Sequence, residues 1–85
     1  MNVLVIDDDR KISNLLERGL SEHGHQVSIA GNGREGAEMM AGGGYDVALL
    51  DILLPGIDGL AVLERVRAKR CKTAIVMLTA VDTVP

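Results

Sequence analysis

The stretch Val3-Leu4-Val5-Ile6-Asp7-Asp8-Asp9 decides the fold. Four consecutive apolar residues, mostly β-branched, read as a short strand covered on both faces, as strands of parallel sheets are. Three carboxylates follow at once, so the strand delivers a block of negative charge to one edge of whatever sheet it joins. Val47-Ala48-Leu49-Leu50-Asp51 repeats the pattern, an apolar run closed by a carboxylate. Ala74-Ile75-Val76-Met77-Leu78-Thr79 gives a third run, closed by a hydroxyl. Val27-Ser28-Ile29-Ala30 alternates instead and is expected to lie at a sheet edge.

The segments between these strands carry helical spacing. Ile12, Leu15, Leu16 and Leu20 form one stripe, with Glu17, Arg18 and Glu22 off it, and Gly24 reads as the stop. Asn32 is a candidate N-cap with Glu35 three residues on. It opens a second helix carrying Ala37, Met40 and Ala41, which Gly42-Gly43-Gly44 ends. That triple glycine reads as a helix-to-strand turn, because a phosphate-cradling loop follows a strand and opens a helix. A third helix is expected to start at Asp58 as N-cap after the Pro55-Gly56 turn and to bury Leu60, Leu63 and either Val66 or the stem of Arg67. The order is βαβαβαβ, which calls for a parallel sheet with right-handed crossovers and a ligand site beyond the carboxyl ends of the strands.

Composition sets limits around that picture. Eighty-five residues make one small domain with a modest core, and 47% apolar with 25% charged residues fits a globular protein. Tyr45 is the only aromatic residue, so no stacking platform for single-stranded nucleic acid exists. A formal charge of −3 opposes a phosphate backbone, so no direct nucleic-acid contact is expected. Cys71, alone, reads as an ordinary thiol in a reducing compartment, and His23 and His25 read as solvated. No signal-peptide pattern and no run of about 20 apolar residues is present, which gives no membrane role and a cytoplasmic location as the expectation.

At the carboxyl edge, Asp7, Asp8, Asp9, Asp51 and Thr79 should share one rim. An Asp before a helix is commonly an N-cap, and Asp9 is expected to serve as one. The remaining carboxylates raise one another's pKa and cost stability unless a cation sits among them. A hard divalent ion, Mg2+, suits an all-oxygen cluster and leaves positions open for a phosphoryl group.

Taken together, Val3–Asp9, then Asp46-Val-Ala-Leu-Leu-Asp51-Ile-Leu-Leu-Pro55-Gly-Ile-Asp58-Gly59, then Val76-Met-Leu-Thr79-Ala80 resemble the receiver domain of bacterial two-component response regulators, in order and in spacing. The resemblance runs through all 85 residues, including Asn32-Gly33. It implies a flavodoxin-like (CheY-like) α/β fold, and a phosphoprotein whose Asp51 accepts a phosphoryl group from a sensor histidine kinase in a phosphorelay. It also implies Mg2+ held by Asp8 and Asp51, by the Leu53 carbonyl and, through water, by Asp7. Thr79 and the Ala80 N–H would contact the phosphoryl group. The module itself would not be an enzyme, and its usual role is to control an output such as transcription regulation.

Receiver domains continue to a fifth strand with a phosphoryl-binding lysine, whereas this sequence ends at Pro85. Lys69 and Lys72 lie at the wrong end of the fourth strand to replace it. The expectation is therefore residues 1–85 as a receiver domain truncated before the fifth strand, without its output domain, with switching impaired and an apolar fourth strand that drives self-association. An alternative reading is a truncated or engineered structural fragment that self-associates without phosphotransfer. A third, a Mg2+-dependent phosphatase of the haloacid dehalogenase type, draws only on Asp7-x-Asp9 and expects Thr or Val where Lys11 stands.

Overall fold

The computed structural model describes residues 1–51, 59–68 and 73–78. Strands β1 (Asn2–Ile6), β2 (Gln26–Ala30), β3 (Val47–Asp51) and β4 (Ala74–Leu78) alternate with helices α1 (Arg10–Glu22), α2 (Gly33–Ala41) and α3 (Gly59–Ala68). The sheet is parallel throughout, in the order β2-β1-β3-β4, so the chain moves outward from β1 to one side and then crosses back to the other. That reversal between β1 and β3 is the place where such sheets bind ligands. The expected flavodoxin-like parallel sheet is observed, with four strands among the described residues and the alternating β2 at an edge.

Asp46 sets the register at the amino end of three strands. Its carboxylate accepts the Asn2 N–H at 2.7 Å. Its own N–H donates to the Asn2 carbonyl at 2.8 Å, and its carbonyl accepts from Ala74 at 3.1 Å. Val3 consequently pairs with Val47, and Val47 with Ala74. Counting along both strands from there brings Asp7 and Asp51 to the same level at the carboxyl end.

The two sheet faces are covered unequally. Leu4, Ile6, Ala30, Ala48 and Leu50 form the main core with Ala37 and Met40 of α2, and Ile75, Met77, Met39 and Tyr45 pack around it. On the opposite face Val3 and Val5 are buried, whereas Val47 and Leu49 are half-buried and Val76 is 47% exposed. Helix α1 lies against β1 and β2 on the sheet.

Caps explain where the helices begin. The Asp9 carboxylate accepts the Lys11 and Ile12 N–H groups, at 2.9 and 3.4 Å, and Asn32 Oδ1 accepts the Glu35 N–H at 2.8 Å. Helix α1 stops at Glu22, and Gly24 turns the chain at φ +85, a conformation that favours glycine. Gly43 and Gly44 do the same after α2, as a helix-to-strand turn.

Three expectations need correction. The α1 stripe does not all face inward: Ile12 is 44% and Leu15 71% exposed, Leu16 and Leu20 are half-buried, and Ser13 is the buried residue. The helix is rotated so that a small hydroxyl, not a leucine, fits against the crowded end of β1. Ala41 is exposed, because the chain is already leaving the sheet there. His25 is half-buried, its Nδ1 at 3.1 Å from the Met1 amine, while His23 is exposed as expected. The expected Asp58 cap, the Pro55-Gly56 turn, Lys69, Cys71 and Lys72 lie outside the described residues, as do the side chains of Leu60, Leu63 and Val66.

Helix α2 sits flush on β1 because position 36 has no side chain. A Cβ there would stand 2.6 to 2.9 Å from three side-chain atoms of Ile6. Ile6 is fully buried and leads directly into Asp7, so it has nowhere to retreat. Gly36→Ala should therefore cost about 1 to 3 kcal/mol in overpacking against about 1 kcal/mol gained in helix propensity, a net destabilisation of up to about 2 kcal/mol. Chemical denaturation checks this, and Ile6→Val in the same chain should recover part of the loss.

Candidate acidic site at the carboxyl edge of the sheet

Asp7 leaves β1 with its backbone still in the ladder, its N–H donating to the Ala30 carbonyl at 3.1 Å. Its side chain is only 5% exposed. One carboxylate oxygen, Oδ1, accepts the Asp9 N–H at 2.9 Å. Beneath it lies Ser13, whose hydroxyl makes a long 3.5 Å contact to the Asp7 carbonyl. Asp8 is exposed beside it, and Asp51, half-buried, stands at the last position of β3. Carboxylate oxygens of Asp7, Asp8 and Asp51 all lie within 4.8 Å of one another.

The structure thus brings together three of the residues singled out in the sequence and separates off a fourth, Asp9, whose carboxylate faces α1 as its cap. Leu53, Thr79 and Ala80 lie outside the described residues. Sequence reasoning missed two supports of the cluster. Ser13 is polar and stands off the apolar stripe, so periodicity gave no sign of its burial. The Asp9 backbone donor has no side-chain signature at all. An open cleft of about 420 Å3 beside Asp7 and Asp8, walled by Arg10, Asn14, Gly31 and Glu35, was also not foreseen.

Burial pushes the Asp7 carboxyl above its ordinary value; the Asp9 N–H opposes this, and the charges of Asp51, Asp8 and Asp9 add to the rise. A buried carboxylate with two like-charged neighbours is a poor arrangement for the protein alone and a good one for a cation. An octahedral Mg2+ at about 2.1 Å from each oxygen keeps its ligands within about 4.2 Å of one another. A cluster with a 4.8 Å limit comes close to that size, and its donors are the hard oxygens this ion prefers. The residues present therefore fit the metal.

A model of the response regulator receiver domain matches residues 3–85. The uncharacterized transcriptional regulatory protein YkoG of Bacillus subtilis is 42% identical over 99% of this chain, and the transcriptional regulatory protein TcrA of Mycobacterium tuberculosis 44% identical over 94%. The chain spans about a third of the length of these curated relatives, 37% and 32% respectively. Among solved structures, the response regulator TrrA of Thermotoga maritima in complex with Mg2+ and BeF is similar, with a TM-score of 0.88 and 40% identity. That match covers 95% of this chain and 70% of TrrA. The receiver domain of the Francisella response regulator 1452 has a TM-score of 0.89 and 31% identity, over 98% of this chain and 69% of that one. This chain belongs to the receiver-domain family of two-component response regulators, signalling modules whose relatives here include transcriptional regulators.

The raised Asp7 pKa predicts a pH dependence with a definite sign. In the unfolded chain Asp7 ionises at its ordinary value, and in the folded chain only at higher pH, so its contribution to stability falls as pH rises through that window and is recovered on acidification. Without divalent metal, Asp7→Asn should be more stable than the parent at neutral pH, and the difference should shrink as pH falls below the ordinary carboxylate value. Paired denaturation curves across pH measure it; a constant difference would contradict the assigned cause.

Proposed function

We propose that this chain is a phosphoacceptor module in which Asp51 takes a phosphoryl group from the phosphohistidine of a sensor histidine kinase. The observation that carries the reading is the convergence of the Asp7, Asp8 and Asp51 carboxylates at the carboxyl edge of β1 and β3. A carboxylate oxygen of Asp51 attacks phosphorus, the phosphorus–nitrogen bond of the donor breaks, and the departing imidazole keeps the electron pair and takes a proton. The product is an acyl phosphate on Asp51 and a regenerated histidine.

Asp8 and Asp51 would hold Mg2+ directly and Asp7 through water, with the Leu53 carbonyl completing the protein ligands by family resemblance. When bound, the ion supplies positive charge against the phosphoryl oxygens and the carboxylates. Asp7 contributes most as a fixed negative charge: it is buried and tied by one oxygen to a backbone donor, so it does not swing into the path of the incoming phosphorus. Thr79 and the Ala80 N–H would then contact the phosphoryl group and report its arrival, a role that rests on the resemblance alone. In this reading the module works in the cytoplasm, makes no nucleic-acid contact of its own, and controls an output carried elsewhere, as the names of its relatives suggest.

Incubation with a small acyl phosphate and Mg2+, read by intact mass, tests the proposal. One phosphoryl group should be gained by the parent and none by Asp51→Asn, and Asp8→Asn should slow the gain severely. No gain by the parent under conditions where Mg2+ binding is demonstrated would sink it.

Self-association is the second element of the proposal. Among the described residues β4 is an edge strand, Val76 is 47% exposed and Val47 and Leu49 beside it are half-buried. An apolar edge of this kind pairs readily with another strand. Light scattering on the 85-residue chain at micromolar concentration should give a mass above the monomer, and Val76→Lys should lower it.

A further inference from the structure

Asp9 makes two sets of bonds that face opposite ways. Its backbone N–H donates to Asp7 Oδ1 at 2.9 Å, into the acid cluster. Its carboxylate turns away from the cluster and accepts the Lys11 and Ile12 N–H groups of α1. Its carbonyl accepts the Ser13 N–H at 3.0 Å, the first turn of that helix. Ser13, 1% exposed, in turn places its hydroxyl against the Asp7 carbonyl. The residue itself is exposed and extended, at φ −85 and ψ 106. These hydrogen bonds tie it both to the cluster and to α1.

We propose that Asp9 is a positioning residue for the cluster: by capping α1 it fixes the amide that holds the Asp7 carboxylate toward Asp8 and Asp51. It is no metal ligand and touches no reacting atom. The inference rests on the phosphoacceptor reading, since it concerns the ability of that cluster to take up Mg2+. Among the described residues the Asp9 amide is the hydrogen-bond donor to the Asp7 carboxylate, so a loose Asp9 removes the bond that orients this buried group. Supports of this kind behind a metal ligand typically govern affinity by an order of magnitude or more.

The test is Mg2+ affinity, measured by titration calorimetry on the full 85-residue chain, for Asp9→Asn and Asp9→Ala alongside the parent. Both substitutions remove one negative charge near the site, which should weaken binding by no more than about threefold at physiological salt. Asn retains the capping oxygen, so Asp9→Asn should lose only that much. Asp9→Ala loses the cap as well and should bind about tenfold more weakly than the parent. Asp9→Ser restores a capping oxygen without a charge and should match Asp9→Asn, which separates a lost cap from a damaged fold.

The difference between Asp9→Ala and Asp9→Asn should vanish when Asp7 is replaced by Ala in both, because the carboxylate being positioned is then gone. Equal weakening in Asp9→Ala and Asp9→Asn would reduce the residue to a distant charge and overturn the inference. So would a lower Tm in Asp9→Ala with unchanged affinity, the behaviour of an ordinary helix cap. A parent that binds no Mg2+ would remove the phosphoacceptor reading itself, and this inference with it. A parent that binds Mg2+ and is phosphorylated, with affinity indifferent to position 9, would remove only the inference.

Discussion

Everything at the functional edge depends on like charges being held together against their repulsion. Asp7 and Asp51 arrive there because β1 and β3 are adjacent, parallel and in register, and Asp8 because the chain turns immediately after β1. The sheet hydrogen bonds and the buried core beneath carry the cluster's cost, spread over many contacts that are each individually modest. This is why the strands just below the acids, Val3 to Ile6 and Ala48 to Leu50, are so uniformly apolar: they are the rigid base on which an unfavourable arrangement stands.

Register is the quantity that links that base to the site. A slip of β3 by one residue against β1 would send Asp51 to the opposite face of the sheet and break the cluster completely. Asp46 guards against it at the far end of the strands, where its three backbone and side-chain bonds to Asn2 and Ala74 lock the starting level of β1, β3 and β4. A carboxylate at the amino edge thus fixes where the carboxylates at the carboxyl edge stand.

Much of this was legible from the residues. Continuous apolar runs give the parallel strands, and those closed by Asp deliver Asp7 and Asp51 to one edge, while the alternation of residues 27–30 places β2 at an edge; the run 74–78 is also a parallel strand but is not covered on both faces, since Val76 is 47% exposed. Asn32 and Asp9 announce themselves as caps by type and position. The inward side of α1 was not legible. Periodicity identifies a stripe but not its rotation, and here the close approach of α1 to β1 selects Ser13 over the larger Ile12 and Leu15, which remain exposed. The bond from the Asp9 amide to Asp7 was hidden for a different reason. Backbone donors are the same in every residue, so only the path of the turn reveals which one a carboxylate will find. Thr79 was placed on the rim by its position after the fourth apolar run, Leu53 and Ala80 were named by resemblance, and all three lie outside the described residues.

The Asp7 amide forms the last rung of the β1–β2 ladder, and its acceptor strand, β2, has no neighbour on its other side among the described residues. Ladder ends on edge strands open by local fluctuation well before a domain unfolds as a whole. The most demanding residue of the site is therefore fastened to one of the less secure margins of the sheet. Amide exchange at Asp7 would follow the opening of that margin, and its protection would serve as a gauge of how tightly the acid turn is shut. Whatever settles into the cluster should slow that exchange well away from itself, along β2 toward Gln26, so that a local charge becomes a stiffening of the whole edge.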